Sequence, residues 1–284
     1  MNTEKNKQIW IEKVHENLIL RGRSEATFIN YKCALTNFFD FYPKDTNIKK
    51  LKEEDIVDYL KKQILDKNKC ASTFNVTVCA IRLCYLINFE ISLNRILLPT
   101  SKLKKTIPTI LPKDIFIKIF NNEKNLKHRC WLLLAFCSGL RVEEVAKIKI
   151  EDINSKEHKL KVLGKGNKER YTFLPDITIK FLRLYYKSVK ITKKEGYLFE
   201  GTTGKDCMNP KTIINYFSDI KRTYNLNNNI SFHSLRHSFA TYYLSNNGSL
   251  LTLQSMLGHK NINTTTIYLH ISQNFNELNG VKYV

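Results

Sequence analysis

Residues 91–112, ISLNRILLPTSKLKKTIPTILP, divide the chain into two stretches that obey different folding patterns. Three of the six prolines fall in this segment, around a basic cluster. Proline lacks a backbone donor and fixes φ, so neither a long helix nor a central strand runs through it. The reading is a domain at 1–97, a linker at 98–110 and a second domain at 111–284.

Before the break the pattern is helical from Lys5 to about Glu90. Ser24 suits an N-cap, and Phe28, Tyr31, Leu35, Phe38, Phe39 and Tyr42 follow at mostly three- and four-residue intervals. Further helices are expected around Glu53–Gln63 and Ser72–Phe89. After the break, helices are expected at Asp114–Phe120 and Arg129–Ser138, the second ending at Gly139. Three β-prone runs follow, Lys147–Ile150, Lys159–Leu163 and Arg170–Leu174. GKGNKE joins the last two as a hairpin turn, and beyond Asp176 the chain is mostly helical again.

Charge narrows the partner. With 46 Lys+Arg against 26 Asp+Glu the net charge is +20, which points to a polyanion. Nucleic acid is favoured over a membrane surface, because no apolar run is read as approaching the roughly 18–20 residues of a spanning helix. MNTEKNKQIW has no apolar signal-peptide core, so the expected location is cytoplasmic. The seven cysteines are scattered and never form C-x-x-C; most read as small buried apolar residues rather than a zinc or disulfide framework.

The chemistry-bearing residues stand at helix ends and turns, where donors for a phosphate can gather. Arg141 follows Cys137-Ser138-Gly139-Leu140, and Lys165 sits in the hairpin turn with Lys168 as a rival. His233 and Arg236 share a helix face in FHSLRHSFAT, His259 follows a glycine in MLGHKN, and Tyr268 lies nine residues on in TTTIYLHI. His233 and His237, four apart, also have the spacing of a two-histidine zinc site. That reading fails on charge: Ser234 stands where H-E-x-x-H needs glutamate, and Arg236 between the ligands would repel a cation. No metal and no cofactor are expected, and His237 reads as a histidine that packs or supports the site residues rather than as a catalyst.

GLRVEEV, LGKGNKER, HSLRHSFAT and LGHKNINTTTIYLHI, in that order, resemble the motifs of the tyrosine recombinases of the phage-integrase and Xer group. LRGRSEATFINY resembles the family's core-binding domain more weakly. The resemblance implies a mainly α fold with a small antiparallel β-sheet in the C-terminal domain: a helical core-binding domain and a mixed α+β catalytic domain, clamping duplex DNA. Tyr268 would attack a phosphodiester, forming a 3′-phosphotyrosyl link and freeing a 5′-hydroxyl without ATP. A free phenol has a pKa near ~10, so cationic neighbours would be needed to favour the phenolate.

By the same resemblance Arg141 and Arg236 would bind the non-bridging oxygens, and Lys165 would protonate the leaving 5′-oxygen. His233 and His259 would add hydrogen bonds, His233 also helping to take the tyrosine proton, and Glu144 would orient its neighbours. Lys159, Lys161, Arg170 and Lys260 read as DNA-backbone contacts or solvated charge. A homo-tetramer on two double-stranded DNA sites is implied, with Phe275–Val284 docking on a neighbouring protomer; a need for an accessory protein stays open. A catalytically silent DNA-binding protein and a type IB topoisomerase are the alternatives.

Overall fold

The computed structural model describes residues 3–65, 71–101, 107–164, 168–189, 195–201, 204, 206–269 and 271–272. The chain forms two compact units, Met1–Lys105 and Thr106–Val284.

The first unit is helical: α1 (Thr3–Leu20), α2 (Glu25–Phe39), α3 (Glu53–Leu65) and α4 (Ala71–Phe89). Ser24 sits in extended conformation at the start of α2, and Glu25 places negative charge at the positive end of the helix. The three- and four-residue spacing then turns Leu35, Phe38 and Phe39 into a core shared with Tyr59 of α3 and Val78, Ile81 and Tyr85 of α4. The buried Tyr85 hydroxyl donates to the Ile48 carbonyl at 2.6 Å, which satisfies both groups away from water.

One sequence expectation needs correction here. By length and composition α4 is apolar enough to cross a membrane. It is instead the helix against which α1, α2 and α3 pack, with Phe74, Thr77, Val78, Ala80, Ile81, Cys84 and Tyr85 buried.

The second unit is mixed. α5 (Lys113–Asn122), α6 (Leu126–Phe136) and α7 (Val142–Ala146) precede a three-stranded antiparallel sheet of β1 (Ile153–Asn154), β2 (Lys159–Leu163) and β3 (Glu169–Phe173). Then come α8 (Asp176–Ser188), α9 (Pro210–Thr223), α10 (Phe232–Ser245) and α11 (Leu250–Leu257). Mainly helical architecture with a small antiparallel sheet is thus what the fold contains. Lys147–Ile150 is not a strand of that sheet: Lys149 makes an isolated bridge to Tyr197, Ile150 opens a 3-10 turn, and the edge strand is Ile153–Asn154.

Alternation along β3 is inverted relative to polarity. Arg170 and Thr172 point inward, while Tyr171 and Phe173 are exposed. Thr172 Oγ1 donates to the Ser138 carbonyl at 2.8 Å, tying β3 to the turn between α6 and α7. Among the described residues the cysteines are less buried than expected: Cys84 and Cys130 are buried, Cys79, Cys137 and Cys207 half-buried, and Cys33 exposed, while Cys70 lies outside the described residues.

Candidate active site

The site forms where three chain turns meet α10. The first is the turn after α6, which reverses at Gly139 with φ +70°. A Cβ there would lie 2.4 Å from Phe239 Cδ1, so both the turn and the close approach of α10 need glycine. The turn delivers Arg141 to the N-cap of α7. The second is the end of α11, capped by Gly258 at φ +66°, where a Cβ would come within 2.8 Å of Arg170 Cδ. It leads directly to His259. The third is the segment after the 3-10 turn Ile262–Thr264, which carries Tyr268.

Arg236 projects from α10 into this junction and is 1% exposed. Its Nη1 donates to the Gly139 carbonyl and its Nη2 to the Leu257 carbonyl, each at 2.6 Å. The Leu257 carbonyl is at the C-terminus of α11, where the helix dipole favours a cation. Burial pushes the Arg236 pKa down to about 9, with Arg141 acting the same way, so the guanidinium is charged at neutral pH.

Glu144 is the hub. Its carboxylate accepts from the Arg141 backbone N–H at 2.8 Å and from Arg141 Nη1 at 2.9 Å. It also accepts two bonds from Arg170, at 2.9 and 2.8 Å, and lies 3.7 Å from Arg236 Nη1. Burial alone would raise its pKa, but the hydrogen bonds and charge of Arg170, with Arg141 and Arg236, hold it at about 2. Among the described residues, three guanidinium groups therefore share this one carboxylate, which leaves positive charge uncompensated. The Arg141 side chain, 37% exposed, gives that charge access to solvent.

Arg170 departs from the sequence reading. Its side chain is 7% exposed, and its Nε donates to the Met256 carbonyl at 2.7 Å. A residue read as solvated charge or a DNA contact is a buried strut joining β3, α7 and the end of α11.

The histidines complete the junction. His259 Nε2 lies 3.3 Å from Arg236 Nη2 and His259 Nδ1 lies 2.9 Å from Thr265 Oγ1. Because the guanidinium can only donate, Nε2 accepts and Nδ1 carries the proton. Burial, then the charge of Arg236, lowers the His259 pKa to about 4, which fixes the neutral form. The His233 ring stands edge-on to that of His237, centroids 4.5 Å apart, as the four-residue spacing on one helix face dictates.

Tyr268 is 3% exposed and packs with Phe239, Ala240, Leu253, Met256 and Leu257. Its hydroxyl lies 2.8 Å from His237 Nδ1. Burial raises its pKa despite the opposing charges of Arg236 and Arg141, so the phenol is protonated in this state. The expected cationic activation is present in sign but outweighed by desolvation.

Arg141, Glu144, His233, Arg236, His259 and Tyr268 are thus gathered, and Lys165 lies outside the described residues. His237, read from the sequence as packing or supporting the site, holds the tyrosine hydroxyl; the signal for this contact is its position one turn after His233, on the same face. A cluster of fixed cationic donors beside a phenol can bind a phosphodiester and stabilise charge building on its oxygens.

Known proteins resemble this chain in sequence and in fold. The chain matches the family model described as "Phage integrase family" over residues 111–274 and that of the "Phage integrase, N-terminal SAM-like domain" over residues 10–86. It is 28% identical over 270 residues to a tyrosine recombinase of Thermosipho africanus, covering 89% of this chain and 91% of the relative. It is also 28% identical over 271 residues to the tyrosine recombinase XerD of Oceanobacillus iheyensis, covering 90% and 91%. Its fold is similar to a solved structure of the XerH site-specific recombinase bound to a palindromic difH substrate, with TM-score 0.72, 20% identity and coverage of 92% of this chain and 81% of that one. The fold is that of DNA-bound tyrosine recombinases and integrases. The chain belongs to the phage integrase family.

Proposed function

We propose that the chain is a site-specific DNA recombinase of Xer-like type that cleaves and rejoins duplex DNA through Tyr268. The observation that supports the residue assignment is the buried Tyr268 hydroxyl in the field of Arg141 and Arg236, which together with Arg170 share the single carboxylate of Glu144.

In the proposed reaction a backbone phosphate enters beside Arg141 and displaces water from its exposed side chain. Arg236, already held by two carbonyls, presents its remaining donor directions without reorganising. The pair stabilises the charge that develops on the non-bridging oxygens, and such donors are typically worth roughly 3 kcal/mol each. Tyr268 Oη attacks phosphorus, the 3′-phosphotyrosyl bond forms and the bond to O5′ breaks. Lys165 is assigned the proton for that leaving oxygen on the motif alone. On the motif, His233 and His259 are assigned hydrogen bonds to the phosphate, His259 by giving up its contact with Arg236 and presenting a protonated Nε2, and Glu144 orients Arg141. In the second step a 5′-hydroxyl from the partner strand attacks the phosphotyrosyl bond.

Residues 1–97 supply DNA-backbone contacts, 98–110 connect, and 111–284 carry the chemistry. The assembly is a homo-tetramer on two double-stranded DNA sites, working in the cytoplasm. The test is strand exchange between two labelled duplexes bearing the target site, run beside relaxation of a supercoiled plasmid. Exchanged duplexes are expected; relaxation without exchange would instead indicate topoisomerase activity.

A further inference from the structure

We propose that His237 is the proton acceptor for Tyr268, taking the phenolic proton on Nδ1 as the strand is cut and returning it as the strand is rejoined. The proposal rests on the reading of Tyr268 as nucleophile and moves proton removal, which the family motif suggests for His233, to the next histidine on this face of α10.

Geometry carries it. The Tyr268 hydroxyl is 2.8 Å from His237 Nδ1, within the distance of a strong O–H···N bond. His233, the histidine the family motif suggests for proton removal, is exposed and meets the edge of the His237 ring instead. The tyrosine ring is nearly parallel to that of His259, with centroids 6.5 Å apart, but the His259 nitrogens are engaged by Arg236 and Thr265.

Electrostatics supply the state of each partner. The phenol keeps its proton, so an acceptor must take it during attack rather than before. Burial lowers the His237 pKa to about 4, helped by the His233, Arg236 and His259 side chains facing it, so the ring is neutral and its Nδ1 lone pair is free to accept. An arriving phosphodiester offsets the positive charge of Arg141 and Arg236 and makes the imidazole more basic at the step where basicity is needed.

The balance is complete. The Oη–H electron pair becomes the new P–O bond and the proton moves to Nδ1. The P–O5′ pair leaves on O5′, which takes the proton assigned to Lys165. Rejoining runs the same transfers backwards, with imidazolium His237 reprotonating the phenolate.

The experiment compares wild type, His237→Asn, His237→Gln and Tyr268→Phe in single-turnover cleavage of nicked duplexes drawn from the DNA flanking the encoding gene, across pH 6–9. Asparagine and glutamine offer an oxygen as hydrogen-bond acceptor but cannot take the proton. Melting curves and duplex affinity check each fold. Loss of general-base catalysis is expected to slow His237→Asn and His237→Gln about 100-fold or more at pH 7, with duplex affinity unchanged. The deficit is expected to shrink roughly tenfold per pH unit as hydroxide replaces the lost base. Cleavage by either folded variant within threefold of wild type, a deficit independent of pH, or faster cleavage would overturn the proposal while leaving Tyr268 as nucleophile. No wild-type adduct on any bound duplex would overturn the underlying reading, and the proposal with it.

Discussion

Arg170 and Glu144 form a two-pronged ion pair, Nη1 to Oε1 at 2.9 Å and Nη2 to Oε2 at 2.8 Å, with side chains only 7% and 6% exposed. Through it β3 grips the carboxylate that also holds Arg141. The pair joins the hairpin to the site and fixes the arginine that faces solvent.

Removing Arg170 takes two bonds from the buried Glu144 carboxylate, which Arg141 and Arg236 still hold, and one from the Met256 carbonyl, at a cost of about 3 kcal/mol. Arg170→Ala is expected to lower the melting temperature by roughly 10 °C, given about 2–4 °C per kcal/mol for a unit of this size. Arg170→Ala with Glu144→Gln should cost clearly less than the sum of the two, because they share one interaction. Thermal unfolding of the single and double variants checks this.

Acid should unfold the second unit in two stages. Glu144 has its folded pKa depressed to about 2, so its contribution is present above the ordinary carboxylate value of 4.5 and is lost as pH falls through about 2. His237 and His259 are depressed from 6.5 to about 4, so the unfolded chain binds their protons more readily and stability declines as pH falls from 6.5 toward 4. Denaturant midpoints are expected to be lower at pH 5 than at pH 7 and to drop again below pH 4. Glu144→Gln, measured against its own value at pH 7, should shrink the lower stage, to which Glu123 also contributes, and leave the upper one.

Arg236→Lys preserves charge but not the planar fork that bonds Gly139 and Leu257 together. Single-turnover cleavage is expected to fall at least about 100-fold, while duplex affinity, set by many phosphate contacts, changes little. Rates and affinities on one duplex separate the two effects.

How far the sequence disclosed this molecule depends on which rule each residue obeys. Leu35, Phe38 and Phe39 follow helical spacing and are buried together, so α2 could be read directly. Gly139 and Gly258 marked turns that both prove to need positive φ. Arg170 could not be read: ERYTF places its aromatic residues outward and its arginine inward, the reverse of the usual pattern, because the arginine's partner is Glu144, 26 positions away. Ile153–Asn154 is too short to show alternation. The partner of His237 could not be read, because it is Tyr268, 31 residues distant, and only the packing of α10 against the later chain brings the two together. The Tyr268 pKa went the other way from the charge argument because sequence shows neighbours' charge but not the depth of burial.

The most direct measurement is covalent trapping on nicked duplexes from the DNA flanking the encoding gene, followed by denaturation and detection of protein–DNA adduct. An adduct in the wild type that disappears in Tyr268→Phe, with duplex binding intact, is the expected result. An adduct that persists in Tyr268→Phe, or tight salt-sensitive binding with no wild-type adduct on any bound duplex, would contradict the account.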